Sequence, residues 1–410
     1  MFNYNDLVLP NGIKLITIKK DTGIASVHMG FKIGSLYEEQ NEKGISHFIE
    51  HMLFKGTALR NNEKLNSDLE NLGGEYNAYT DHNCTVYSAT ALSSEIENMI
   101  NIMSDMVQNS AFPEKEMIKE KEVILSEIRT SRDDLEQYSF KQINEAAYEN
   151  SPLKYETIGS EKTVKGFSRK QLIDFYEKNY VPNNCYISIV SPYEHDYIKE
   201  LVWEQFKKWE HIERKEKNVI IEKNIPRTKI TYKKNIEQST IIYLFTFHSI
   251  TKQEELALKV LNHKFGESSN SILFRELRED KGLAYDVYTH LDLTSMVKTL
   301  YIYTAVAEEN IDEAIASIDG CIEKIKSQEI VFDESTINLM KKVLNTAVAF
   351  TVEDSTDIGN YVIHQKMENE YIFQFIKDME QLESIKKEDI YNIARNIFNG
   401  PTIHILKNEN

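Results

Sequence analysis

Residues 44–57 read Gly-Ile-Ser-His-Phe-Ile-Glu-His-Met-Leu-Phe-Lys-Gly-Thr, and their spacing predicts a buried helix starting near Ile45. On such a helix His47 and His51 are one turn apart and share a face, with Glu50 beside them at i+3. Phe48, Ile49, Met52 and Leu53 fill the flanking positions and would bury it. An apolar helix presenting two neutral nitrogen ligands and a carboxylate suits zinc held by side chains, with one position open for water. Set against this is a plain core helix. With 11 His and 65 Asp+Glu in 410 residues, His-x-x-acid-His arises by chance about 0.05 times per chain, so a third ligand has to decide.

The stretch from Pro113 to Asn150 reads as a helix and offers candidates. Met117, Glu120, Ile124 and Glu127 follow i, i+3, i+7, i+10 spacing, which puts two carboxylates in an apolar stripe. Burying an unpaired carboxylate is costly, so each should meet a cation, a proton or a metal. Glu114, Glu116 and Glu122 read as a solvated acidic face.

Outward from these helices the chain alternates element types. The first fifty residues carry strand-like runs, LITI and ASVHMGFKIG, with a turn at Pro10-Asn11-Gly12. Glu75 to Ala91, introduced by Gly73-Gly74 and rich in β-branched and aromatic residues, reads as a strand, and Ser94–Asn109 as a helix after it. This is an α+β layout. Residues 207–227, KKWEHIERKEKNVIIEKNIPR, are dense in charge and end near Pro226, as a linker would. On either side the order repeats: helix, GGEYNAYT, strand, helix in 1–206, and SILFRELRED, KGLAYDVYT, YIYTAV, helix in 228–410. Two similar domains follow, each a mainly antiparallel sheet packed with helices.

Charge and cysteines narrow the function classes. Lys+Arg number 48 against 65 Asp+Glu, a net charge of −17, which disfavours nucleic acid and anionic membrane surfaces as partners. Cys84, Cys185 and Cys321 form no CxxC pair, so neither a disulfide framework nor a thiolate zinc site is expected, and a reducing, cytoplasmic location fits. No signal peptide and no membrane span is read from the hydropathy.

HFIEHMLFKGT resembles the active-site helix of the inverzincins, zinc peptidases with an inverted H-x-x-E-H motif. The family includes pitrilysin, insulin-degrading enzyme and mitochondrial processing peptidase, and this chain looks like its short two-domain bacterial type. LGGEYNAYTD, EKEVILSEI and LFRELREDKGLAYDVYT extend the resemblance over essentially the whole chain. It implies a third zinc ligand about 76 residues after the second histidine, a spacing that falls on Glu127, and a further glutamate one heptad earlier, matching Glu120. His47, His51 and Glu127 would then hold Zn2+, Glu50 would take a proton from the attacking water, and Glu120 would support a ligand or assist catalysis. Asn77, Ala78, Tyr79 and Thr80 match a strand whose open edge pairs with an extended peptide, and Phe54 matches an apolar wall near the scissile bond. For Tyr79 and Phe54 core packing is an equal reading.

Arg278 and Tyr285 match a pair that stabilises the carbonyl oxygen from the domain opposite the zinc. Without the resemblance, Arg278 would read as a surface ion-pair partner of Glu279 or Asp280. Family members with four such domains form a clamshell, and this chain has two, half of such a chamber. The resemblance therefore implies a dimer, with a homodimer favoured because both the metal motif and the Arg/Tyr pair are retained, and a heterodimer with a related subunit left open. Hydrolysis of peptides or leader segments is the leading function. Leader maturation with a partner subunit and a non-proteolytic assembly role are the alternatives.

Overall fold

The computed structural model describes residues 3–212, 214 and 217–409. Eleven strands among them form two sheets. The first sheet contains β1 (Asn3–Val8), β2 (Lys14–Lys19), β3 (Ile24–Phe31), β4 (Glu75–Thr80), β5 (Thr85–Leu92) and β6 (Cys185–Ser191), in the order β1-β2-β6-β3-β5-β4. The second contains β7 (Arg227–Lys233), β8 (Ser239–Thr246), β9 (Ala284–Asp292), β10 (Thr299–Val306) and β11 (Thr402–Asn408), in the order β7-β11-β8-β10-β9.

Apart from β1 the two sheets have one topology. In each, the first and last strands of the set pair in parallel, β2 with β6 and β7 with β11, and every other neighbouring pair is antiparallel. The duplication expected from the faint sequence repeat is therefore a duplication of strand order, with β4 and β9 as equivalent edges. Strands β6 and β10 are buried along their whole length and β3 along nearly all of it. Their near-continuous apolar sequences suit strands covered on both faces.

The chain folds into two compact units that are not contiguous in sequence. One holds the chain up to Arg129, with Glu156–Val219 and Ala349–Gln374; the other holds Thr130–Tyr155, Ile220–Val348 and the chain from Phe375. The expected halves 1–206 and 228–410 flank a change of unit at Val219/Ile220 but do not anticipate this exchange of segments. Of the expected linker 207–227, residues 213, 215 and 216 lie outside the described residues.

The exchanged segments are helices that cover the sheets. Leu135–Ala147 packs on β8 and β11, where the Ser139 and Thr240 hydroxyls meet at 2.6 Å. Ser355–Met367 packs on β3 and β6 in the first unit. That helix lies very close to its sheet: a Cβ on Gly359 would stand 2.8 Å from His28 Nδ1, and one on Gly30 would stand 2.1 Å from the Met367 methyl. Glycine at both positions lets helix and sheet make contact.

Two expected elements are divided. The strand read over Glu75–Ala91 is a hairpin, β4 and β5, whose turn is closed by the Asp81 N–H donating to the Cys84 carbonyl at 2.8 Å. The polar run Thr80-Asp81-His82-Asn83 marks the turn, between flanks that are both rich in β-branched and aromatic residues. The helix read over Pro113–Asn150 is two, Glu114–Asp133 and Leu135–Ala147. The Asp134 carboxylate accepts from the Gln137 N–H at 2.8 Å and caps the second, which stops the first.

Candidate metal centre

The helix Ile45–Leu53 carries the centre, and its inward side is as apolar as its sequence predicts: Phe48, Ile49, Met52 and Leu53 are fully buried. Its N-terminus is held by a residue that sequence reasoning missed. Glu38, itself buried, accepts from the N–H groups of Gly44 and Ser46 at 2.9 Å each, neutralising donors that a helix start leaves unpaired. Burial pushes the Glu38 carboxyl up, against those hydrogen bonds and the Lys43 charge. Gly44 has φ 93°, a left-handed conformation that favours glycine at the turn into the helix.

The far end of the helix is pinned as firmly. Gly56 has φ 121°, and the Thr57 hydroxyl donates to Asp105 at 2.6 Å. Arg60 joins the same Asp105 and also Asp68 at 3.0 Å. The Lys-Gly-Thr end of the motif thus serves to fix how the chain leaves the helix.

Between these ends His47 and His51 lie with ring centroids 4.7 Å apart. One ligand atom from each of His47, His51 and Glu127 lies within 4.8 Å of the other two. His47 Nδ1 and Glu127 Oε2 are both buried and lack a hydrogen-bond partner among the described residues. Burial, aided by the neighbouring His51, pulls the His47 imidazole down to about 3, so it is neutral and able to donate a lone pair.

His51 is oriented by Glu120. Its Nδ1 stands 3.0 Å from Glu120 Oε2, while its Nε2 faces Glu127 Oε2 at 3.7 Å. A proton on Nδ1 donated to Glu120 leaves the Nε2 lone pair directed at the cluster, the arrangement in which a carboxylate fixes the tautomer of a metal-binding histidine. Burial lowers His51, but the Glu120 hydrogen bond and the charges of Glu127, Glu50 and Glu120 outweigh it and raise the imidazole above its ordinary value. Burial raises Glu120 in turn, and its bonds to His51 and Lys55 more than reverse that. Lys55 Nζ lies 2.9 Å from Glu120 Oε1, so both carboxylate oxygens are engaged.

Glu50 faces the same space with one oxygen committed, since the Thr80 hydroxyl donates to its Oε2 at 2.6 Å. Burial raises the Glu50 carboxyl, Thr80 and His51 oppose this, and Glu127 adds to it, with the net direction upward. That direction moves a carboxylate toward proton transfer near neutral pH. Imidazole nitrogens, a carboxylate and buried donor atoms without a hydrogen bond among the described residues are the ligand chemistry that zinc takes, so the residues fit the ion.

The remaining site residues divide between faces and units. Asn77 and Ala78 lie on β4, Asn77 exposed and Ala78 half-buried. Tyr79 projects away from Glu50 into a small apolar cluster with Cys84, Val86, Tyr186, Ile363 and Met367. Phe54 packs between Tyr76 and Tyr87, at centroid distances of 6.3 and 6.2 Å. In the second unit, Arg278 sits in a π-helical turn, Arg275–Asp280, with its guanidinium 4.8 Å from the Phe274 ring centre and 5.0 Å from that of Tyr285. The structure thus brings Arg278 and Tyr285 together through a cation–π contact, and both are exposed. The three cysteines are free and buried, and no described helix is long and apolar enough to cross a membrane.

Comparison with known proteins adds the following. A family model described as insulinase (peptidase family M16) matches residues 14–161, and one described as the peptidase M16 inactive domain matches 166–344. A protein of Rickettsia felis named as an uncharacterized zinc protease is 30% identical over 98% of this chain and 96% of its own. The beta subunit of the mitochondrial-processing peptidase of Bos taurus is 34% identical over 47% of this chain and 39% of its own. A crystal structure of a protease from Helicobacter pylori superposes with TM-score 0.91 at 20% identity, covering 99% of this chain and 100% of that one.

Proposed function

This chain belongs to the insulinase family of peptidases, and on that premise we propose that it is a zinc-dependent endopeptidase that hydrolyses peptides or leader segments. The observation that carries the reading is the convergence of His47, His51 and Glu127 within 4.8 Å, with His47 Nδ1 and Glu127 Oε2 buried and without a hydrogen-bond partner among the described residues. An assembly role without proteolysis would not need buried donors kept apart from hydrogen-bond partners, since each is costly unless something binds it.

His47, His51 and Glu127 would hold the ion, and Glu120 fixes the ring of His51. Bound there, zinc would supply the Lewis acidity that makes a water more acidic and a peptide carbonyl more electrophilic. Glu50, held at Oε2 by Thr80, uses its other oxygen to accept the water's proton and pass it to the leaving amine. The free edge of β4 offers backbone hydrogen bonds to an extended peptide, which favours recognition by shape over sequence. Phe54 borders that space. Arg278 and Tyr285 are proposed to stabilise the oxyanion.

In this reading the N-terminal domain, 1–206, holds the metal, 207–227 joins it to the next, and 228–410 carries the Arg/Tyr pair. The chain works as a homodimer whose partner completes each site. Mixing inactive Glu50→Gln with inactive Arg278→Ala should regenerate activity, and a verified mixed dimer that stays inactive would end the idea of a shared site. The peptidase reading itself is tested on a quenched-peptide library with and without chelator. Cleavage that chelator abolishes and zinc restores is expected, and no cleavage of any library member by zinc-loaded protein would overturn it.

A further inference from the structure

Among the described residues strand β4 has a hydrogen-bonded neighbour on one side only, β5, and an edge strand with a free side is among the least secured elements of a sheet. Successive side chains of a strand point to opposite faces. Thr80 therefore serves the face with Glu50, while Tyr79 serves the other. The Tyr79 hydroxyl donates to Asn360 Oδ1 at 2.6 Å and lies 2.6 Å from His364 Nε2, with the Tyr79 and His364 rings stacked at 11° and 6.0 Å. Asn360 and His364 are one turn apart on the Ser355–Met367 helix.

The polar atoms form a chain with one direction. Cys84 Sγ lies 3.9 Å from His364 Nδ1. With the imidazole proton on Nε2, the thiol donates to Nδ1, Nε2–H donates to the Tyr79 oxygen, and the Tyr79 proton goes to Asn360, so no group is left without a role. Asn83 in the hairpin turn also donates to Glu368 at 2.6 Å, just beyond the helix. The platform is rigid: the helix is seated against Gly30 and His28, and its Thr356 hydroxyl meets Thr90 of β5 at 2.9 Å. A residue serving only to fill the apolar cluster would need no hydroxyl, and here two partners converge on it.

We propose that Asn360 and His364 are positioning residues for peptide binding: through Tyr79 they hold β4 where its free edge pairs with an extended substrate while Thr80 keeps the Glu50 carboxylate in place. The proposal rests on the peptidase reading. An edge ordered in advance spares the substrate the cost of ordering it, so the anchor acts on affinity for long peptides.

Tyr79→Phe keeps the ring and removes the hydroxyl, Asn360→Leu removes the acceptor, and Asn360→Asp retains it. The KM for peptides long enough to span β4 should rise about three- to tenfold in the first two, with kcat within about twofold and Asn360→Asp near wild type. Zinc content should not change, and amide exchange across Glu75–Thr80 should quicken in both variants. Unchanged KM and unchanged exchange would overturn the proposal, as would parallel loss of zinc, kcat and KM, which marks a general structural role. If the wild-type chain cleaves nothing, the peptidase reading fails separately, and exchange across β4 still decides whether the anchor exists.

Discussion

Replacing Glu120 by Gln keeps the shape of the side chain and removes its charge, and the structure fixes what that must do. Two donors converge on this carboxylate, His51 Nδ1 at 3.0 Å on one oxygen and Lys55 Nζ at 2.9 Å on the other. A carboxamide has one acceptor oxygen, so its NH2 must face one of the two donors. One charge-assisted hydrogen bond is lost whichever way the amide turns, at a cost of about 1.5–3 kcal/mol. The site has little water to compensate, since Glu120 is 6% exposed. With roughly 1.4 kcal/mol per tenfold, zinc affinity should fall about 10- to 100-fold. Competition against a chromophoric chelator reads this directly, with Glu122→Gln on the exposed side of the same helix as the control. Affinity within twofold of wild type in Glu120→Gln would refute the argument that the Glu120 charge strengthens His51 as a ligand.

Thr80→Val removes the hydroxyl that donates to Glu50 at 2.6 Å; kcat should fall about tenfold with zinc retained, and the acid limb of the rate profile should move to higher pH, because that bond lowers the Glu50 pKa. An unmoved limb would remove Thr80 from the proton-transfer step. His28 is fully buried, and burial, with a smaller push from His364, lowers its imidazole from 6.5 to about 4. Its folded pKa is depressed, so the stability that depends on its neutral form is complete above about 6.5 and is lost as pH falls through about 4. The full loss is about 3 kcal/mol, seen as a falling denaturant midpoint between pH 7 and pH 4. A flat midpoint across that window would contradict it.

The helix Ile45–Leu53 is legible in sequence because its chemistry is local: His47, Glu50 and His51 share a face through helix geometry alone, and burial of Phe48 and Leu53 follows from the same period. Glu127 is legible as one of two carboxylates in an apolar stripe, and the strand repeat from Gly-introduced segments. What sequence conceals is of two kinds, local caps that carry no apolar period and contacts between distant chain segments. Glu38 caps the helix through backbone contacts that leave no pattern. Asp134 caps a second helix at the end of a polar run, residues 129–134, that passes for a solvated helix face. Asn360 and His364 reach β4 only because their helix crosses to the first unit, about 280 residues away from Tyr79 along the chain.

A zinc ion on His47, His51 and Glu127, with Glu50 beside it as base, can be read from metal content per folded chain, measured by native mass spectrometry alongside peptide cleavage. One zinc is expected in the wild type and in Glu50→Gln, with cleavage abolished in the latter, and loss of zinc in His47→Ala, His51→Ala and Glu127→Ala. Full zinc in any of those three alanine variants, or cleavage by Glu50→Gln at the wild-type rate, would contradict it.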